Sequence, residues 1–250
     1  MASPGAGKTE TLTRRIAWLL LVEGVKPHEI VAFTFTEKAA ESMKERIYMV
    51  VKKCGTMDVL GKLGEMFVGT IHSFAMRVLQ DHFDYGHYDV LDENQEAAFV
   101  IKELGWKLSK SRRYEGGTPS KACVSFLNSL EVIHNELLDL DEIAARGERE
   151  GKFIEDVKLY YERLDSERLM TFGRMIPLVV RNLRENPAVL EEMGIKHLLV
   201  DEYQDINHAQ EELINLIAQK ASVFIVGDPR QTIYQWRGSD SHCFDRFLEK

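Results

Sequence analysis

Short apolar runs alternate with amphipathic stretches at both ends of the chain, and amphipathic stretches alone fill the middle. Residues 9–22 read as a helix that breaks before Pro27. Ile30 to Phe35 reads as a buried strand, with Thr36 placed to cap a helix from Glu37 to about Lys53. A short strand at Met66 to Thr70 leads into a helix from His72 to about His82. From Asp92 to Met170 helical stretches follow one another, joined by turn-rich spots such as residues 115–119. Strands return at Ile195 to Val200 and at Ser222 to Val226, flanking a helix from Asn207 to Lys220 with Leu213, Ile214, Leu216 and Ile217 on one face. Strands alternating with helices predict an α/β fold with a mostly parallel sheet, and the central block reads as an all-helical insertion. The expected division is 1–91 with 171–250, and 92–170.

Composition narrows this little. An apolar content of 44% and a charged content of 29% over 250 residues are ordinary for a soluble globular protein. The longest apolar run, Ile16 to Val22, is far too short to span a bilayer and suits the buried face of a helix. Cys54, Cys123 and Cys243 are isolated and lack metal-ligand spacing, as expected of reduced thiols in a cytoplasmic protein. A net charge of −8 gives no bulk attraction for nucleic acid, so any such contact must be local.

The chemistry begins at the N-terminus. Ala2-Ser3-Pro4-Gly5-Ala6-Gly7-Lys8-Thr9 fits a phosphate-binding loop with Ala2 at the usual first Gly. In such a loop backbone N–H groups cradle phosphates, the Lys reaches the β/γ-phosphates and the Thr hydroxyl ligates Mg²⁺. The loop normally joins a strand to a helix, and only Met1 precedes it, so the chain reads as a piece of something larger. A second pattern, residues 197–202, is an apolar strand that delivers Asp201 and Glu202 to its C-terminal end, where ligands of open α/β sheets bind. Asp201 would hold Mg²⁺ and Glu202 would deprotonate an attacking water. The alternative is an exposed acidic pair that merely ends a strand.

Three further segments end strands at the same expected edge. Residues 226–238 carry Gln231, placed to touch a γ-phosphate, and Tyr234, Trp236 and Arg237, which could offer π-faces and charge to bases. Residues 34–40 contain Phe35, and residues 69–74 contain Thr70 and His72, with hydroxyls and a helix start suited to a phosphate backbone. Taken singly, each reads more readily as a cap or as core packing.

Together the five segments resemble the superfamily 1 DNA helicases of the UvrD/Rep/PcrA type. The loop matches motif I, residues 34–40 match TFTNKAA, residues 69–74 match GTFHS, VDEYQD matches motif II and GDPRQTIYQWRG matches motif III. That resemblance implies a P-loop NTPase fold, the first RecA-like domain with its inserted helical subdomain. It implies ATP and Mg²⁺ as cofactors and 3′-to-5′ movement on single-stranded DNA, with ss/ds junctions as substrates and repair or recombination as the setting. A second RecA-like domain of the same parent chain would be the partner, with no membrane. Residue by residue, Ala2 to Thr9 bind the nucleotide, Lys8, Asp201, Glu202 and Gln231 carry catalysis, and Thr9 and Asp201 hold the metal. Phe35, Tyr234 and Trp236 would stack on bases, Thr70 and His72 contact the strand, and Arg237 links the two sites.

The sequence departs from the pattern in places. Glu10 stands where the family often has Arg, and residues 170–174 replace an acidic segment. Pro229 and Asp240 lean toward the RecB/AddA helicase–nuclease branch. Lys107, Lys110, Arg112 and Arg113 could meet duplex DNA, but residues 92–170 carry 12 basic and 17 acidic residues, which favours a solvated loop. Two readings follow: the motor part of a helicase, or a module that binds nucleotide and single-stranded DNA without unwinding by itself.

Overall fold

A computed structural model of the chain describes residues 7–54, 57–110 and 118–228. In chain order these form α1 (Lys8–Leu21), β1 (Ile30–Thr34), α2 (Glu37–Cys54), α3 (Met57–Lys62), β2 (Phe67–Thr70) and α4 (Ile71–His82). Next come β3 (Asp89–Leu91), α5 (Glu93–Lys110), α6 (Pro119–Asn135), α7 (Leu140–Ala144), α8 (Glu148–Ser166) and β4 (Leu169–Thr171). The remainder is α9 (Phe172–Glu185), α10 (Ala188–Glu192), β5 (His197–Val200), α11 (His208–Ala218) and β6 (Ser222–Ile225). The chain divides into two compact units, one drawn from Met1–Val78 and Val179–Lys250, the other Leu79–Leu178.

In the first unit four strands form a parallel sheet in the order β2-β1-β5-β6. Every residue of β1 is buried, which explains why the strand reads as an unbroken apolar run: a parallel strand is covered on both faces. One face packs Leu12, Ile16, Leu19 and Leu20 of α1 and Ala40, Met43, Ile47 and Val51 of α2 against Ile30, Ala32, Val68 and Leu199. The α2 positions recur at three- and four-residue steps, so one stripe of that helix faces the sheet. On the other face Phe74 of α4 meets Phe33 and Phe67 edge-on, each with ring centroids 5.1 Å apart.

Helix starts follow their caps. Thr36 Oγ1 accepts the Ala39 N–H at 3.1 Å, as its sequence position predicts. Asn207 and Gln210 form a reciprocal capping box at α11. The run Ile16 to Val22 departs from expectation. Ile16, Ala17, Leu19 and Leu20 are buried, but Trp18 and Val22 face solvent, because a helix cannot turn seven consecutive residues inward. The Trp18 indole N–H instead donates to Glu23 Oε1 at 2.8 Å.

The second unit is mostly helical. Phe99, Val100 and Leu104 of α5, Phe126 and Leu130 of α6, and Phe153, Val157 and Tyr160 of α8 share one core. A small parallel sheet of β3 and β4 accompanies them. Two polar contacts are built into this core: the Tyr160 hydroxyl donates to Glu96 at 2.6 Å, and His134 Nε2 lies 2.7 Å from the Tyr161 hydroxyl. Arg174 grips Asp165 through both guanidinium nitrogens at 2.6 and 2.8 Å and lies over the Tyr161 ring. Lys107 is ion-paired with buried Asp156 at 2.8 Å, which explains one of the four basic residues weighed for duplex contact. Arg112 and Arg113 lie outside the described residues.

Candidate functional site

Parallel strands end on one side, so the sheet of the first unit collects its candidate residues along a single edge. Thr34 pairs in register with Thr70, and Phe33 with Val200. Thr70 and Asp201 therefore stand level with Thr34 at the ends of three successive strands, with Phe35 one residue beyond, and β2 and β5 are two strand spacings apart, about 10 Å.

Gly7 takes the left-handed conformation at the start of α1, with φ 79°, a turn that suits glycine. The next two side chains reach the acidic pair beyond β5. Lys8 Nζ donates to Glu202 Oε2 at 2.7 Å, and the Thr9 hydroxyl donates to Asp201 Oδ2 at 3.0 Å. Lys8 is largely buried, and about a third of the Glu202 side chain is exposed. Burial raises the Asp201 carboxyl above the usual aspartate range, Glu202 adds to the rise, and the Thr9 hydroxyl opposes it. A hydroxyl and a carboxylate held together in this way form a hard-oxygen donor set. Such sites take Mg²⁺ through one or two carboxylates and substrate phosphates, so the residues fit that ion.

Glu202 is itself strained, at φ 50° and ψ 45°. A left-handed non-glycine residue costs on the order of 1–3 kcal/mol and persists only where the surroundings fix it. Here they do: Asp201 Oδ1 accepts the Glu202 N–H at 3.0 Å, the Asp205 N–H donates to the Glu202 carbonyl at 2.9 Å, and the Tyr203 N–H donates to the Val226 carbonyl at 3.0 Å. Gln204 Nε2 donates to Glu202 Oε2 at 2.8 Å. Asp205 is pushed up to about 6 by burial and by the neighbouring Glu202 charge.

Of the residues expected to meet DNA, Phe35 is exposed just past β1 and His72 is half-buried at the start of α4, with its ring held toward the neutral form by burial. The Thr70 hydroxyl donates to Glu37 Oε1 at 2.8 Å and is also within 3.0 Å of Ser73 Oγ. A Cβ at Gly69 would lie 2.8 Å from both the Phe67 ring and Ser73 Oγ, so any side chain there would force these groups to shift. Ala2, Ser3, Pro4, Gly5 and Ala6 lie outside the described residues, as do Gln231, Tyr234, Trp236 and Arg237. Sequence reasoning missed Glu37, Gln204, Asp205 and the Asp228 backbone. The VDEYQD pattern contained two of these, and only its first two acids received roles.

Among the described residues no helix is long and apolar enough to cross a membrane. The family model described as UvrD/REP helicase N-terminal domain matches residues 1–250. The chain is 34% identical to DNA helicase II of Haemophilus influenzae, a match covering 100% of this chain and 34% of that protein. It is 30% identical to the ATP-dependent DNA helicase PcrA of Bacillus subtilis and 31% identical to the protein of that name from Staphylococcus aureus, over 96% of this chain and 32% of each relative. The chain thus spans about a third of the length of the curated relatives it matches.

Proposed function

This chain belongs to the UvrD/REP helicase N-terminal domain family, and on that premise we propose that it is the ATP-binding motor part of a DNA helicase that travels 3′ to 5′ along single-stranded DNA. One observation carries the reading: Lys8 and Thr9, side by side at the start of α1, reach Glu202 and Asp201 at the end of β5. That is the pairing of a phosphate-gripping helix start with an acidic pair that nucleotide hydrolysis needs.

In this reading the helix start and the Lys8 ammonium bind the phosphates, and Thr9 with Asp201 hold Mg²⁺. The metal, when bound, neutralises charge on the phosphate oxygens. Glu202 orients the attacking water and takes its proton on Oε1, since Gln204 donates to Oε2. Gln231 and Arg237 complete the phosphate side. Phe35, Tyr234 and Trp236 stack on bases, and Thr70 and His72 touch the strand. Residues 1–91 with 171–250 form the RecA-like domain, 92–170 its inserted subdomain, and a second RecA-like domain closes the cleft. The setting is cytoplasmic, at ss/ds junctions in repair or recombination.

The test, made on the parent chain that carries the second RecA-like domain, is Mg²⁺-dependent ATP hydrolysis measured with and without a single-stranded oligonucleotide, together with displacement of a labelled strand from duplexes with a 3′ or a 5′ tail. Stimulation by the oligonucleotide and displacement only from the 3′ tail are expected. Hydrolysis that single-stranded DNA leaves unchanged would overturn the motor reading.

A further inference from the structure

The turn after β5 contains a side chain that the proposed chemistry leaves without a role. Gln204 is almost fully buried, and its carboxamide spans two strand ends. Its Oε1 accepts the buried N–H of Asp228 at 2.9 Å, at the end of the chain leaving β6. A backbone N–H can only donate, so this bond fixes which way the amide faces and aims Nε2 at the carboxylates. Nε2 donates to Glu202 Oε2 at 2.8 Å and reaches Asp205 Oδ2 at 3.3 Å. Glu202 Oε2 thus has two donors, and they differ in kind. Lys8 is the cation that bound phosphates would draw away, whereas Gln204 is neutral, buried and tied to the backbone.

We propose that Gln204 is a positioning residue that holds the Glu202 carboxylate in its working orientation once Lys8 has turned to the nucleotide, anchoring it to the backbone at Asp228. The inference rests on the reading of Glu202 as the base. Holding a strained residue's carboxylate matters because misplacement by about 1 Å can cost on the order of 10² in rate.

Two substitutions separate orientation from architecture. Gln204→Ala removes both bonds. Gln204→Glu keeps an acceptor for Asp228 and, once ionised, removes the donor to Glu202, so its turnover is followed up the pH scale to where the new carboxyl has lost its proton. Steady-state ATP hydrolysis with Mg²⁺ and a single-stranded oligonucleotide should fall by about 10–100-fold in kcat for both, with KM for ATP within about threefold. Added to Glu202→Gln, either change should cause little further loss, since it acts through a group already disabled. In the nucleotide-free protein, amide exchange at Asp228 should speed up by about tenfold or more in Gln204→Ala and stay protected in Gln204→Glu. Near-normal kcat in Gln204→Glu, or losses that multiply in the double variants, would overturn the positioning role while leaving the base assignment standing. If Glu202→Gln turns over as fast as the unaltered protein, the functional reading itself fails and takes this inference with it.

Discussion

Lys8 Nζ lies 2.7 Å from Glu202 Oε2, so the cation expected to meet phosphate and the carboxylate expected to meet water neutralise each other across 194 positions of sequence. Neither group can serve its proposed partner while the contact stands, and nucleotide entry must divide the pair. The buried lysine end makes the contact more than a surface ion pair, and the partly exposed glutamate leaves it easy to break.

Lys8→Met should therefore weaken binding of a fluorescent ATP analogue by about tenfold or more, equivalent to roughly 1.4 kcal/mol. Titration of the analogue against both proteins reads it directly, and unchanged affinity would remove Lys8 from the phosphate site.

Glu202→Gln preserves shape and removes the base. Turnover should drop by roughly 10²–10⁴-fold while the analogue still binds. Single-turnover hydrolysis with DNA present is the measurement.

Asp201→Asn should separate stability from activity. Because burial raises the Asp201 carboxyl, its charged form is disfavoured in the fold, and removing the charge should leave the metal-free melting temperature unchanged or higher. Hydrolysis should instead demand far more Mg²⁺. A lower melting temperature together with an unchanged Mg²⁺ requirement would contradict the assignment.

Phe35→Ala should cost single-strand affinity about 1–3 kcal/mol with little sequence preference. The affinity loss should exceed anything a change in melting accounts for, since the ring is exposed just past β1. Fluorescence anisotropy and melting on one preparation distinguish stacking from packing.

The second unit should be acid-sensitive. Burial, with Arg174 nearby, lowers the His134 pKa from 6.5 to about 3, so the fold favours neutral imidazole. That stability is fully present above the unfolded value and is lost as pH falls from about 6.5 towards 3, at up to about 1.4 kcal/mol per pH unit. Glu96, whose carboxyl burial raises, opposes this trend, so the His134 share is isolated by comparison with His134→Gln. Urea unfolding at pH 7 and pH 5 should show the variant losing about 2 kcal/mol less than the unaltered chain.

What the sequence disclosed follows from signal length. The four strands of the first sheet and helices α1, α2, α4 and α11 stand within a few residues of their expected places, because apolar runs and caps such as Thr36 and Asn207 mark them. Strands β3 and β4 escaped, since three residues are too few to display an alternation. Helix α3 also escaped, because it buries no residue and so carries no apolar stripe. At the candidate site the acids were legible as motif letters. The Gln204 bridge was not, because its partner Asp228 comes from another strand and is met through the backbone, which leaves no mark in residue types. The Thr70–Glu37 bond was hidden for a related reason: it joins the end of β2 to the start of α2, which only the pairing of β1 with β2 brings together.

The common direction of the four strands also gives the experimenter a quiet side. Their starting ends, at Ile30, Phe67, His197 and Ser222, form a rim about 13 Å from the edge that bears the candidate chemistry. Ser222 is exposed there. A single thiol introduced by Ser222→Cys, with the exposed Cys54 and also Cys243 replaced, could carry a dye or a tether to glass, and one molecule could then be held by the end of the sheet away from its working edge.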